Sequence, residues 1–237
     1  MWLAAGAFSM VLLMYIPAPY GKFVRTGYGP VVRSDIGWVI QESPSFIVFL
    51  LSALFSEYWS LEASLLGLLF LVHYFNRCFV FPFNMRKGKK STTLAVIAAA
   101  LLFTLGNGYL QGRGLFHYDP PENSVRNLSF WAGVSLWALG FFQNVRHDQI
   151  LAELSQKGEY GIPHGGWFEY VSCANYLSET LEWLGWAIAA NTVTAYLFAF
   201  WTFANLFPRA LSQHRWYKLK FDNYSSLNRR AFIPKLV

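Results

Sequence analysis

The sequence predicts an all-α integral membrane protein, a seven-transmembrane helical bundle with cytoplasmic loops and a basic C-terminal tail. Hydrophobic residues make up 54% of the 237 and charged residues only 14%, where soluble domains carry about 25% charge. Mean hydropathy is positive at +0.29, and the apolar residues fall in blocks instead of an amphipathic scatter. No polar stretch exceeds about 40 residues, below the size at which a domain usually folds alone. Residues 1–237 are therefore read as one membrane-embedded domain, with a cytoplasmic tail from about residue 209.

A hydrocarbon core needs about 20 apolar residues per helix. Seven segments approach that: Met1–Pro17, Ser45–Tyr58, Leu61–Phe81, Thr92–Leu110, Leu128–Val145, Phe168–Ala190 and Thr192–Phe207. The first lacks the basic n-region and small-residue cleavage site of a signal peptide, so it reads as a retained span. The second is short, and Pro44 is expected to start its helix. The last two nearly touch, which leaves six to eight spans open. Charge asymmetry selects seven. With that count, 16 of the 19 Lys and Arg residues share one side: Lys22, Arg25, Arg33, Arg86, Lys87, Lys89, Lys90, Arg146, Lys157 and the seven from Arg209 to Lys235.

That side is cytoplasmic and the N-terminus lies outside, in a bacterial inner membrane or the endoplasmic reticulum. The net charge of +6 then reflects topology and contact with membrane lipid. Basic residues strung through separate loops, with no recognition fold, argue against nucleic acid. No obligate protein partner is evident. The 19% of aromatic residues, many near span ends, form interfacial belts. Cys78 and Cys173 both fall in apolar runs and read as buried thiols.

Several chemistries are excluded. Gly106, Gly108 and Gly112 miss the dinucleotide fingerprint by one residue and follow no strand, so close helix packing is the better reading. Gly88-Lys-Lys-Ser-Thr echoes a phosphate loop, but Phe83 stands where the leading glycine belongs. His73, His117, His147, His164 and His214 show no metal-ligand spacing, so no metal is expected. No G-x-S-x-G elbow exists.

Polar residues inside apolar segments are functional hypotheses by default. Glu42 follows Trp38 and Gln41 and precedes Pro44; desolvated there, it would be a neutral hydrogen-bond donor, or else it is an ordinary N-terminal cap with Ser43. Tyr74 and Arg77 share a helical face in His73-Tyr-Phe-Asn-Arg77; a tyrosine in a cavity can donate to a carbonyl, and an interfacial anchor is the plainer role. Asn107 and Gln111, four apart, read as interhelical glue. Asn144 and Asp148 share a face at a cytoplasmic helix end. Asn175, Glu179 and Glu182 form a polar stripe, which suggests a wet or ligand-filled cavity.

These residues carry a resemblance. Gln41-Glu42-x-Pro44, His73-Tyr-Phe-x-Arg77, Gly106-Asn-Gly-x-Leu-Gln-Gly112, Ile162-Pro-x-Gly-Gly166, Tyr170-Val-Ser-x-Ala-Asn175-x-Leu-x-Glu179, and the tail from His214-Arg-x-Tyr217 to Ile233-Pro234 resemble the steroid 5α-reductase family, in order and over most of the chain. The resemblance implies a seven-span reductase, here expected to be a microbial member, that uses NADPH to reduce the Δ4 double bond of a 3-oxosteroid. It implies that Glu42 and Tyr74 polarise the 3-oxo group and that Trp38 and Gln41 line the substrate pocket. Asn144, Asp148, Asn175, Glu179, Arg209, His214, Tyr217 and Arg229 match cofactor-contacting positions. The chain departs from the animal pattern at Ala152 and Ser155, where arginines stand, and at Ser212-Gln213-His214, so the group reading a 2′-phosphate is unassigned. Alternatives are a reductase of a polyprenol or an enoyl thioester, a membrane methyltransferase, or a lipid carrier without chemistry.

Overall fold

The computed structural model describes residues 1–25, 27–84, 91–118, 121, 124–156 and 161–237. It is almost entirely helical: α1 (Trp2–Tyr15), α2 (Ser34–Leu54), α3 (Leu61–Phe75), α4 (Phe81–Asn84), α5 (Leu94–Arg113), α6 (Leu128–Gln156), α7 (Ala174–Ala190) and α8 (Val193–Lys220). Two strands, β1 (Val31–Arg33) and β2 (Ser91–Thr93), pair antiparallel with Val31 opposite Thr93. Their β-branched residues suit a short ladder. Among the described residues, three helical stretches are long and apolar enough to cross a membrane: Ser34–Leu54, Leu61–Asn84 and Leu94–Tyr118. Arg86, Lys87, Lys89, Lys90 and Lys157, which helped set the expected orientation, lie outside the described residues.

Pro44 does not start a helix. It lies inside α2, which begins at Ser34, so Glu42 and Ser43 are mid-helical and cap nothing. Proline removes one intrahelical bond, at a cost of about 3 kcal/mol in an ordinary helix. Here the Ser43 hydroxyl donates to the Ile40 carbonyl at 3.5 Å, which meets part of the lost satisfaction. Two further expected spans run past their predicted ends: the third contains a π turn, Asn76–Val80, and continues through α4 to Asn84, and the fourth continues past Leu110 into a π turn, Gly114–Tyr118.

The chain packs as two compact units. The first comprises Ala18–Ser135 and Gly185–Phe198; the second comprises Met1–Pro17, Leu136–Leu184 and Ala199–Val237. In the first, α2 packs chiefly on α5. The contact is close because Gly108 and Gly112 present no side chains: a Cβ on Gly108 would lie 2.8 Å from the Ser45 carbonyl oxygen, and one on Gly112 would lie 2.5 Å from Ser52 Cβ. Gly108 and Gly112 are there for packing, as the sequence reading holds. The Ser45 hydroxyl donates to the Thr104 carbonyl at 3.0 Å across this crossing. Phe49 and Phe70 stack at 4.1 Å, and Trp186 Nε1 donates to the Leu66 carbonyl at 3.0 Å.

A methyl at Gly108 would meet backbone, which cannot swing aside. Gly108→Ala is expected to lower stability by about 1–3 kcal/mol, seen as a lower melting temperature in detergent; an unchanged melting temperature would contradict the close crossing.

In the second unit, α1 packs on α8, with Trp201 Nε1 donating to the Trp2 carbonyl at 2.9 Å. Helices α6 and α7 approach just as closely, since a Cβ on Gly140 would collide with the Glu182 backbone nitrogen. The C-terminal tail is tied to the segment before α7: the Ser172 N–H donates to the Arg230 carbonyl at 2.8 Å and the Arg230 N–H to the Tyr170 carbonyl at 3.0 Å. Phe232 is buried against Cys173 and Ala210.

Candidate active site

The expected substrate-side residues all lie in the first unit. Trp38, Gln41 and Glu42 occupy adjacent turns of α2, with Gln41 buried and Glu42 half-buried. Gln41 Nε2 lies 3.4 Å from Glu42 Oε1. Tyr74, near the end of α3, is only 3% exposed. Its ring packs on Phe70 at 4.7 Å and meets His73 edge-on at 5.1 Å.

The Tyr74 hydroxyl accepts a hydrogen bond from Asn107 Nδ2 at 3.1 Å. Asn107 is itself oriented by Gln111, whose Nε2 lies 3.3 Å from Asn107 Oδ1 and 3.0 Å from the Thr194 carbonyl. All three side chains are buried. The expectation that Asn107 and Gln111 bond between helices is met. What it misses is the partner, since the amide acts on the candidate phenol. A hydroxyl that accepts a hydrogen bond becomes a stronger donor, and the gain is larger in a dry interior. The signal was present as two amides four residues apart in an apolar helix; the identity of their target was not.

Arg77 sits on the π turn that follows α3. Its guanidinium lies over the Trp38 ring at 4.8 Å and over the Phe81 ring at 4.7 Å. Such contacts stabilise both the cation and the ring orientation, and π turns recur at functional sites.

The expected cofactor-side residues all lie in the second unit. Asn144 Nδ2 donates to the Asn175 carbonyl at 2.9 Å, and Asn175 Nδ2 donates to Asp148 Oδ1 at 3.1 Å. Asn144 and Asp148, one turn apart on α6, thus grip the first turn of α7. Glu179 follows one turn along α7 and is half-buried; Glu182, the last of the stripe, is fully buried.

His214 and Tyr217 lie on α8, past its predicted span. Ser172 Oγ gathers His214 Nδ1 at 2.5 Å, the Tyr224 hydroxyl at 2.6 Å and the Arg230 carbonyl at 3.0 Å. With the Ser172 proton given to that carbonyl, His214 and Tyr224 are the donors. Tyr217 stacks on Tyr224 at 5.0 Å, and burial pushes its phenol pKa up, so it stays protonated. Arg229 serves the loop before α7. Its guanidinium is buried and donates to the Pro163 carbonyl at 2.7 Å, with His164 Nδ1 at 3.1 Å and Glu169 Oε2 at 3.4 Å. Arg209, also on α8, is half-buried.

Acid should loosen this tail. Burial first, then Lys218 and Arg230, lower the His214 pKa from its ordinary 6.5 to about 4. The unfolded chain therefore binds this proton before the folded chain does. Stability from neutral His214 is full above pH 6.5 and is lost as pH falls toward 4. The Gly165 amide holds the Glu169 carboxyl below its ordinary value, so its contribution is also lost with falling pH. The melting temperature is expected to fall between pH 7.5 and pH 5, with a shallower slope in His214→Gln. A flat wild-type profile would contradict this.

Comparisons with known proteins agree with one another. The family described as 3-oxo-5-alpha-steroid 4-dehydrogenase matches residues 90–237. The steroid 5-alpha-reductase of Arabidopsis thaliana is 39% identical, over 97% of this chain and 92% of that protein. The 3-oxo-5-alpha-steroid 4-dehydrogenase 1 of Bos taurus is 37% identical over 99% of this chain and 93% of that protein. The human protein of that name is 39% identical over 92% and 85%.

Proposed function

The chain belongs to the 3-oxo-5-alpha-steroid 4-dehydrogenase family of oxidoreductases, and we propose that it reduces the Δ4 double bond of a 3-oxosteroid such as testosterone or progesterone with NADPH. One observation carries the reading: the buried relay from Gln111 through Asn107 to the Tyr74 hydroxyl. It orients a phenol in the same unit as Glu42, as a site that must hold a carbonyl oxygen requires.

Reduction of an enone at its β-carbon drives negative charge onto the carbonyl oxygen. Donors already placed at that oxygen stabilise the enolate-like transition state without reorganising. Tyr74 and a protonated Glu42 supply them. Trp38, braced by Arg77, and Gln41 border the apolar body of the substrate. A bound nicotinamide cofactor would supply the hydride.

The second unit's residues fit such a cofactor. Asp148 and Glu179 are acceptors for ribose hydroxyls, Asn144 and Asn175 suit a carboxamide, and Arg209 suits a phosphate, while Arg229 would serve the cofactor by holding the loop before α7. Ser212 Oγ and Gln143 Oε1 are buried with no protein hydrogen-bond partner among the described residues, which is consistent with a polar ligand. His214, through Ser172, and Tyr217, stacked on Tyr224, hold the tail to the segment before α7. The residue that prefers a 2′-phosphate is not among those assigned.

A single seven-span domain, N-terminus outside and C-terminus cytoplasmic, is the topology we adopt. Three clear spans support it, as do the C-terminal halves of α6 and α8, which carry Arg146, Arg209, Arg215, Lys218 and Lys220. The test is NADPH oxidation by the purified protein in detergent with progesterone or testosterone. Steroid-dependent oxidation is expected. A protein that binds NADPH yet turns over neither steroid would favour a different lipid enone.

A further inference from the structure

One buried histidine has no part in the scheme above. His147 lies on α6 between Asn144 and Asp148, is 0% exposed and is engaged at both ring nitrogens. The Trp167 amide N–H donates to Nε2 at 3.1 Å, and Nδ1 lies 3.0 Å from Ser178 Oγ. A backbone N–H can only donate, so Nε2 is the bare acceptor and the ring hydrogen sits on Nδ1. It is given to Ser178 Oγ, whose own hydrogen goes to the Ala174 carbonyl at 2.7 Å. Each proton has one place.

The turn that supplies Trp167 is pressed onto this imidazole. Gly165 and Gly166 have φ of +96° and +56°, and a Cβ on Gly166 would lie 2.8 Å from His147 Nε2. Both conformation and space demand glycine there. The rings of Trp167 and Phe168 pack on the imidazole at 5.6 and 5.2 Å. The same turn receives Arg229 at the Pro163 carbonyl and Glu169 at the Gly165 amide.

We propose that His147 is a positioning residue for the nucleotide: Nε2 fixes the Gly165–Gly166 turn while Nδ1 fixes α7 at Ser178, so that Asn144, Asp148 and Asn175 stand at the separation the cofactor needs. It touches no reacting atom. The proposal rests on the cofactor reading given above.

Two conservative variants separate its two bonds. In His147→Gln, Oε1 can take the place of Nε2 and accept from Trp167. In His147→Asn, Nδ2 can take the place of Nδ1 and reach Ser178, but the Trp167 N–H loses its acceptor. Three quantities are measured: the NADPH dissociation constant by fluorescence without steroid, the steroid KM, and hydrogen exchange of the peptide containing the Trp167 amide. A lost buried hydrogen bond corresponds to about tenfold. His147→Asn is therefore expected to weaken NADPH binding about tenfold and to speed exchange at Trp167, with steroid KM unchanged. His147→Gln keeps the acceptor for Trp167 but loses the Ser178 bond, so exchange at Trp167 should stay slow while NADPH binding weakens by a similar factor, again with steroid KM unchanged.

Equally fast exchange at Trp167 in the two variants, or slow exchange retained in His147→Asn, would reduce the histidine to a space-filler and overturn the proposal. Gly166→Ala drives a methyl against Nε2 without altering His147. It should weaken NADPH binding similarly, and it decides the matter if His147→Asn does not fold. A wild-type protein that binds no NADPH would overturn the cofactor reading itself, an outcome distinct from wild type and His147→Asn binding it equally well.

Discussion

Tyr74→Phe is expected to lower the steroid reduction rate by about 10²–10³-fold, the usual cost of removing one donor from a developing oxyanion. The substitution deletes a single oxygen from a buried ring that keeps its packing on Phe70. It also strands Asn107 Nδ2, which now donates to that oxygen at 3.1 Å, so some loss of stability, on the order of 1 kcal/mol, accompanies the kinetic effect. NADPH binding should be unaffected, because the residues assigned to it lie in the other unit. Glu42→Ala should cost a similar factor. Glu42→Gln should cost less, since an amide N–H can replace a protonated carboxyl as donor but cannot replace a carboxylate. The reading is tested by kcat, with cofactor affinity measured separately. If Glu42→Ala and Tyr74→Phe both retain near-normal rates, these two side chains do not polarise a carbonyl.

Asp148→Ala should behave in the opposite way. Its carboxylate accepts from Asn175 Nδ2 at 3.1 Å and so fixes the amide at the start of α7. Hydrogen bonds to a charged group contribute about 1.5–3 kcal/mol, which corresponds to a 10- to 150-fold weaker dissociation constant for NADPH. Steroid KM at saturating cofactor should hardly move. Asn175→Ala should weaken binding less than additively with Asp148→Ala, because the two side chains share one bond. A dissociation constant unchanged in Asp148→Ala would remove α6 from the cofactor site.

Much of this was legible in the sequence, for a physical reason. Apolar blocks report burial in lipid or protein, and polar residues inside them are costly enough to mark function. Glu42, Tyr74, Asn144, Asp148, Asn175 and Glu179 stood out on that ground, and the family motifs then gave them roles. Helix boundaries were read less well. Pro44 suggested a helix start because isolated proline propensity says so; a serine side chain and the packing of α2 on α5 override it. The strands β1 and β2 were missed because three-residue ladders leave no period to detect. Positioning residues were the least visible. Asn107 signalled only that it needed a partner, and His147 signalled nothing, since a single histidine has no spacing.

The relay to Tyr74 spans widely separated parts of the chain. Asn107 lies 33 residues beyond Tyr74, and Gln111 finds the Thr194 carbonyl 83 residues later. During synthesis α5 therefore leaves the ribosome long before the segment that completes its hydrogen bonding. Until then Asn107 and Gln111 can bond only to each other and to what precedes them, a tie that their four-residue spacing permits within one helix. The first unit is a late product of biogenesis: a nascent chain halted before Gly185 would insert α2, α3 and α5 yet leave the hydrogen bonding around Tyr74 unfinished, and insertion machinery must tolerate two amides in the interim.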